Sequence, residues 1–374
     1  MNAFLKTTHI PIAGARTLPR EYYVSAELFE EEQERIFSRR WLCVGRGEQI
    51  AERGQYLLQD VGPDSILVLR DRDGVVHAYH NVCRHRGTRL CEEASGQLGE
   101  TIQCPYHAWT YALDGQLLGA PSADTIDGFR KTDYPLRPVA VAEWEGFLFI
   151  NLADDPEPFA DAYAPVLTRF GRFNLPALRM ARRVVYDVHA NWKLLIQNYS
   201  ECYHCSRVHP ALVKITPATS GENDLFEGPF LGGFMEIDGA SGSLTMSGRV
   251  CGQVVGKLPP EDMTRVYYYS LFPNTLLSLH PDYVMFHTLW PVGPGRTRIV
   301  CEWLFHPDSF ESPAFNPDDG VEFWDMTNRQ DWHICEQAQL GVQSRAYRPG
   351  PYSARESLSV AFDREVLKAL AAGG

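Results

Sequence analysis

Two short stretches, Cys83-Arg84-His85 and Cys104-Pro105-Tyr106-His107, hold this chain to a narrow set of folds. Each offers one thiol and one imidazole from a tight loop, and 18 residues (86–103) separate them. The flanks read as short β-strands. SILVLR (65–70) and VVHAYH (75–80) enclose Asp73-Gly74, a hairpin signal, and TYALDGQLLG (110–119) repeats the device at Asp114-Gly115. FLFINL (147–152) reads as a further buried strand, so the stretch from about residue 41 to 152 forms a small all-β module. Gly87 lets the first loop turn tightly, and Pro105 stiffens the second.

Two cysteines and two histidines suit either a structural zinc ion or a Rieske-type [2Fe–2S] centre, in which two Cys hold one iron and two His the other. Zinc pairs usually sit about two to four residues apart, and the one-residue gap in Cys83-x-His85 departs from that spacing. The matched half-motifs between hairpins therefore favour a [2Fe–2S] cluster on Cys83, His85, Cys104 and His107. Neutral imidazoles in place of anionic thiolates make such a cluster accept an electron more readily. Cys91 has no partner in the pattern and reads as a bystander, and Trp109 reads as packing beneath the loops. The basic residues Arg84, Arg86 and Arg89 offer either a docking face for an acidic electron donor or a solvated loop.

The 374 residues suffice for two domains, and a composition of 44% hydrophobic and 22% charged residues is that of a globular protein. Lys and Arg total 35 against 47 Asp and Glu, a net charge of −12, which argues against general nucleic-acid binding because phosphates need neutralising. No apolar run approaches the roughly 20 residues of a membrane span. The N-terminal sequence lacks the apolar core of a secretory signal, so a cytoplasmic location is expected. Nine cysteines, an odd number, make scattered structural disulfides a weak reading. Three segments are expected. Residues 1–40 form an N-terminal helical segment, with Ser25 as a helix cap, that packs on the last domain. Residues 41–154 form the β module, and 155–374 a second domain beyond the acidic, Pro-bearing stretch 153–165. In that domain 191–205 reads as a helix with Trp192, Ile196, Tyr199 and Tyr203 on one face. Residues 265–272, 283–292 and 297–307 read as antiparallel strands, and 320–346 as one long helix, giving an α+β fold class.

The run Glu201-x-x-His204-x4-His209 carries a second constellation. On a continuous helix, positions 204 and 209 diverge by roughly 140° at about 100° per residue, so the backbone must loosen before His209 if both bind one metal. Two histidines with open positions need a carboxylate to complete the triad that holds non-haem Fe(II). It is either Glu201 or a residue from elsewhere. The long helix has an apolar stripe of Val321, Trp324, Asn328, Asp331, Cys335, Ala338 and Val342. A carboxylate aimed at the core is costly unless a metal or cation compensates it. Asp331 is the expected third ligand; Asp325, on the neighbouring polar face with Arg329 and Glu336, is the fallback. The competing reading is a buried Asp bonded to a polar neighbour. Asn198 is a candidate polar neighbour of the metal ligands.

CRHRG…CPYHAW followed by NWKLLIQNYSECYHCSRVHP resembles the α subunit of Rieske non-haem iron oxygenases, over about residues 20–360. The resemblance implies a Rieske β-domain joined to a helix-grip catalytic domain with a mononuclear iron. It also implies a homotrimer in which the cluster of one subunit serves the iron of its neighbour. Glu201 then bridges His204 and His107 of the next subunit; many relatives have Asp there, one methylene shorter. The family's Asp, followed five residues later by Glu, fits Asp331 and Glu336. The ECYHC-x3-HP and NRQDWHICEQAQLG runs look like the group acting on quaternary ammonium compounds such as choline, carnitine and glycine betaine. The implied reaction is hydroxylation of a C–H bond, foremost in N-demethylation, with O2 and NAD(P)H-derived electrons from a separate reductase, with or without a ferredoxin. An aromatic-ring hydroxylating mono- or dioxygenase is the alternative, and a zinc-stapled ligand-binding protein without turnover is the rival of another class. Tyr203, Phe286 and Trp290 are candidates for an aromatic cage around a methylated ammonium. Strand alternation sets Phe286 and Trp290 on one face and Met285 and His287 on the other, with the pocket-facing side undecided.

Overall fold

The computed structural model describes residues 3–238 and 242–372. Residues 37–162 form one compact unit, and those up to 36 together with those from 163 form the other. The second crossing falls inside the acidic stretch 153–165; the first falls within the helical turn Gln33–Phe37.

The unit 37–162 is built on antiparallel strands. A seven-stranded sheet runs in the order Leu42–Arg46, Phe147–Asn151, Pro138–Trp144, Val76–His80, Asp64–Arg70, Gln55–Val61 and Ser95–Gln97. A three-stranded sheet holds Thr101–Gln103, Thr110–Ala112 and Leu117–Gly119. Both expected hairpins are present. Asp71 Oδ1 accepts from Asp73 N (2.9 Å) and Val75 N (2.8 Å), and Gly74 takes the left-handed φ of +83° that closes the turn. Every residue of Phe147–Asn151 is buried, as a strand covered on both faces requires.

The other unit carries an eight-stranded antiparallel sheet in the order Leu5–Lys6, Glu222–Leu225, Phe230–Glu236, Arg265–Leu271, Thr275–Leu279, Val284–Gly293, Arg296–Phe305 and Arg179–Val188. The helix Asp318–Gln343 lies against it. Trp324 Nε1 donates to Tyr283 Oη at 2.6 Å, and Trp332 meets Tyr186 edge to face with centroids 5.9 Å apart. Each large apolar side chain so buried contributes about 1.5–3 kcal/mol. The buried stripe differs from expectation at one step. Ala338 is exposed, and Gln339 is buried in its place, accepting from Asn191 N (2.9 Å) and donating to Tyr23 O (3.2 Å). A polar side chain with two main-chain partners is stable in the core, and apolar periodicity does not register it.

The helix expected over 191–205 stops early, at Trp192–Tyr199. Asn191 caps its start by accepting from Lys193 N, and Ser200 Oγ folds back onto Ile196 O at 2.6 Å. Beneath it Lys193 pairs with Glu32, both buried, and Trp192 Nε1 donates to the same carboxylate at 2.7 Å. Ser25 caps Ala26–Glu32 as expected, accepting from Leu28 N at 3.2 Å. No helix among the described residues is long and apolar enough to cross a membrane.

Candidate active site and metal centres

The two thiol–imidazole loops share one hydrogen-bond plan despite their unequal spacing. Cys83 N donates to Thr88 O (2.8 Å) and Gly87 N to Cys83 O (3.0 Å). In the second loop Cys104 N donates to Trp109 O (2.8 Å) and Ala108 N to Cys104 O (3.1 Å). The residue closing each turn has a left-handed φ, +77° at Gly87 and +57° at Ala108. Cys83 and Cys104 are buried, whereas His85 is exposed and His107 half-buried; the two rings meet edge to face at 4.7 Å. Trp109 is buried and stacks on His85 at 4.9 Å. Tyr111 was not singled out from the sequence. Its hydroxyl accepts from Arg84 N at 3.0 Å, which leaves its own proton to face Cys83 Sγ, 3.4 Å away. Burial raises the pKa of the Cys83 thiol. Two soft donors inside and two imidazoles at the surface fit a cluster with Cys on its inner iron and His on its outer iron. Cys91 is buried in the same core cluster as Cys83 and Cys104, its thiol pKa pushed up to about 11 by burial.

The break after Tyr199 places the second constellation. Glu201 Oε2 accepts from the main-chain N–H groups of Tyr203 and His204, which turns the chain, and Oε1 receives His204 Nδ1 at 2.5 Å. A one-turn helix, Cys205–Val208, then carries the chain to His209. The loosening demanded by the His204–His209 spacing is thus present. The same reversal brings Cys202 and Cys205 to 4.9 Å between Cα atoms, and a disulfide joins them around His204, although disulfides were the weaker reading of the nine cysteines.

His204 Nε2, His209 Nε2 and Asp331 Oδ1 form a triangle with edges of 3.2, 3.2 and 2.9 Å. Ligand atoms about 2.1 Å from one metal and at right angles to each other lie about 3 Å apart, so the three fit one face of an octahedron. Asp331 comes from the long helix. Asp325 is turned away, bonded to Tyr186 Oη (2.8 Å) and Arg329 Nε (2.8 Å), and Glu336 accepts from His189 N at 3.0 Å. Glu201 is outside the triangle, held on the far nitrogen of His204. Electrostatics call for a cation here. Burial opposes charging His204, but the hydrogen bonds it donates to Asp331 and Glu201 overcome it and push the pKa up to about 10. Burial also works against the Asp331 carboxylate, yet the two imidazoles hold it below the usual range. Three acceptors converging on one point suit a metal ion better than a single proton. His209 Nδ1 is held by Gln330 Oε1 at 2.7 Å, a contact the sequence reading missed. Gln330 precedes Asp331 by one position, and a step of about 100° around the helix takes it off the stripe that flagged Asp331. Asn198 lines the same cavity, but among the described residues it is Glu201 and Gln330 that bond the imidazoles.

A cavity of about 410 Å³ opens beside the triangle. Its walls include Tyr199, Tyr203, Tyr268, Met285, His287 and Trp324. Tyr268 stands edge-on to Tyr199 (6.1 Å) and to Trp324 (6.2 Å). Phe286 and Trp290, expected at the substrate, do not line it; both are buried on the other face of the strand Val284–Gly293. The alternation was legible, but a strand with both faces buried gives no sign of which one borders the hollow. Tyr268, which does line it, lies between Tyr267 and Tyr269 in its strand, whose side chains leave on the opposite face.

A β-sheet unit with paired thiol–imidazole loops, joined on one chain to a sheet-and-helix unit with two histidines and a carboxylate facing one point, defines an iron–sulfur-coupled oxygenase. The comparisons agree. Residues 40–131 match the Rieske [2Fe-2S] domain, and residues 175–372 match the family described as ring hydroxylating alpha subunit (catalytic domain). The glycine betaine monooxygenase oxygenase subunit of Chromohalobacter salexigens is 35% identical over 376 residues, covering 91% of this chain and 82% of that protein. The carnitine monooxygenase oxygenase subunit of Escherichia coli K12 is 36% identical over 345 residues, covering 89% and 86%. The solved structure of a quaternary ammonium Rieske monooxygenase superimposes with a TM-score of 0.81 at 26% identity over 95% of both chains. This chain belongs to the Rieske non-haem iron oxygenases, as an α subunit with a Rieske [2Fe–2S] domain and a non-haem iron catalytic domain. The zinc-stapled binding protein is thereby set aside.

Proposed function

We propose that this oxygenase component attacks a quaternary ammonium compound at an N-methyl C–H bond. The observation that carries the reading is the cavity wall beside His204, His209 and Asp331. It presents the rings of Tyr199, Tyr268 and Trp324, which suit a methylated ammonium through cation–π attraction. Among the described residues its only carboxylates are Glu201 and Asp331, both committed to the histidines. Similarity to glycine betaine and carnitine monooxygenases supports the same substrate class.

When bound, the cluster supplies single electrons and the ferrous ion makes dioxygen reactive toward a C–H bond. Cys83, Cys104, His85 and His107 would hold the cluster, and His204, His209 and Asp331 the iron. Two electrons, two protons and O2 convert the N-methyl group to a hydroxymethyl group and water; the N-hydroxymethyl ammonium then loses its hydroxyl proton, and its N–C bond breaks to release formaldehyde and the tertiary amine. Glu201 fixes the ring of His204 through Nδ1, and we assign it as the link to His107 of a neighbouring copy in a trimer. A separate reductase, with or without a ferredoxin, brings electrons from NAD(P)H, and the enzyme works in the cytoplasm.

The test is substrate-dependent oxygen uptake by the reconstituted enzyme with a compatible reductase, across betaines, carnitine, choline and benzoates, with formaldehyde assayed. Formaldehyde from an ammonium substrate is expected; turnover of benzoates alone overturns the reading. A mixing experiment tests the link between copies. Cys83→Ser lacks the cluster and His204→Ala lacks the iron; co-assembled, they should regain activity that neither has alone, and no recovery in verified mixed trimers rules that link out.

A further inference from the structure

The cavity is electrically lopsided, and the asymmetry bears on which ammonium compound it takes. At the inner end stand Tyr199, Tyr268 and Trp324, neutral rings without a spare carboxylate among the described residues. At the rim stand two side chains of permanent positive charge, Lys6 and Arg355, the only Lys and Arg among the lining residues. They come from segments far apart in sequence that are tied together, Ser357 Oγ donating to Thr7 O at 3.0 Å. Arg355 is exposed, and its guanidinium sits over the ring of Tyr203 at 5.8 Å. No carboxylate forms an ion pair with Arg355 among the described residues; the neighbouring Glu356 is turned back to accept from Ser353 N at 2.7 Å. Lys6 stands across a strand pair from Glu222, so its charge is partly balanced and Arg355 carries the greater weight.

Resting on the quaternary ammonium reading above, we infer that Arg355 is a specificity-determining residue that receives a substrate carboxylate, so the enzyme prefers a zwitterionic N-methylated ammonium carboxylate over a cationic alcohol. A guanidinium forks onto a carboxylate with two parallel hydrogen bonds, and stacking on Tyr203 keeps the fork aimed. The opposite charges of the ligand then meet opposite ends of the cavity. A ligand with an ammonium and a hydroxyl gains the rings but faces an uncompensated cation at the rim. Arg355 does not touch the reacting carbon in this reading; it sets affinity and orientation.

The test measures binding calorimetrically and turnover by oxygen uptake on the iron-loaded holoenzyme, with glycine betaine, carnitine, choline and tetramethylammonium as probes. The wild type should bind the two carboxylates more tightly than choline or tetramethylammonium, with affinity falling as salt rises. Arg355→Gln should raise the Kd and KM for the carboxylates about tenfold, the value of one charge-assisted hydrogen bond, with a much smaller change in kcat. Choline should be little affected, and Arg355→Glu should reverse the order of preference. Lys6→Gln should give the same pattern more weakly. Equal wild-type affinity for choline and glycine betaine, or an Arg355→Gln loss of the same size for all four probes, overturns the inference while leaving the ammonium reading intact. Binding of none of the four removes both. An unchanged melting temperature and cluster spectrum in the variants separates these outcomes from misfolding.

Discussion

Gln330 Oε1 lies 2.7 Å from Nδ1 of His209, while the residue next to it in the chain, Asp331, faces Nε2 of the same ring at 2.9 Å. One helix turn therefore holds both edges of an imidazole in the proposed iron site. The amide fixes the tautomer with Nδ1 protonated and Nε2 free, and the carboxylate completes the ligand face. On the other histidine Glu201 does the orienting task from its own loop.

Gln330→Leu should lower iron affinity by about 10- to 100-fold, the usual effect of removing a group that orients a metal-binding histidine. Gln330→Glu keeps an acceptor and should lose far less. Iron retained against a graded chelator measures the effect, and the spectrum of the reduced cluster should not change. Equal iron retention by Gln330→Leu and the wild type would show that the contact has no such role.

Tyr111→Phe should lower the reduction potential of the cluster. The hydroxyl faces Cys83 Sγ at 3.4 Å, and a hydrogen bond to a ligand sulfur favours the reduced, more negative state. One bond of about 1 kcal/mol corresponds to a fall on the order of 40 mV for a single electron. Redox titration followed by EPR reads the shift directly; an unchanged or higher potential contradicts the assignment.

Glu32→Gln should destabilise the sheet-and-helix unit by about 3–5 kcal/mol, because it leaves the Lys193 ammonium buried without its counterion. Burial already pushes the pKa of Lys193 down against the pull of Glu32. Adding Lys193→Met should recover most of the loss, since the Gln–Met pair leaves no buried charge to balance. Urea unfolding of the two variants and the wild type decides the matter, and a double variant no better than Glu32→Gln alone counts against it.

Acid should weaken the fold. Burial drives the imidazoles of His280 and His287 down to about 3 and about 4. In the unfolded chain they titrate near ~6.5. The unfolded state therefore binds more protons below that value, so the stability these residues contribute is complete above about pH 6.5 and declines toward pH 4. Asp363 acts oppositely: burial raises its pKa to about 6, so its contribution is complete below the unfolded value of ~3.9 and is lost as pH rises through 6. Between about pH 6 and 4 it offsets one histidine, leaving a net loss of about 1.4 kcal/mol per pH unit. His280→Phe keeps an aromatic ring stacked on Tyr283 and should flatten the dependence of the urea midpoint on pH. A variant as acid-sensitive as the wild type would show that His280 is not responsible.

The spacing of Cys83, His85, Cys104 and His107, the hairpins around Asp73-Gly74 and Asp114-Gly115, and the His204–His209 interval are local facts. The chain carries them within one or two turns, and their chemistry admits few partners, so they could be read without a fold. Asp331 was legible for a related reason: a carboxylate on an apolar stripe is costly unless something compensates it, and the cost marks the position. Tertiary structure decided what depends on distant neighbours. Gln339 was buried rather than Ala338 because Asn191 and Tyr23 offered it main-chain partners. Met285 and His287, not Phe286 and Trp290, came to border the cavity because the strand that bears them is covered on both faces, and only the placement of the hollow distinguishes the two. Gln330 and Arg355 gained their roles from a ring and a rim built by other segments. Periodicity records which way a side chain leaves its own element, and what it meets there depends on elements it has no sequence relation to.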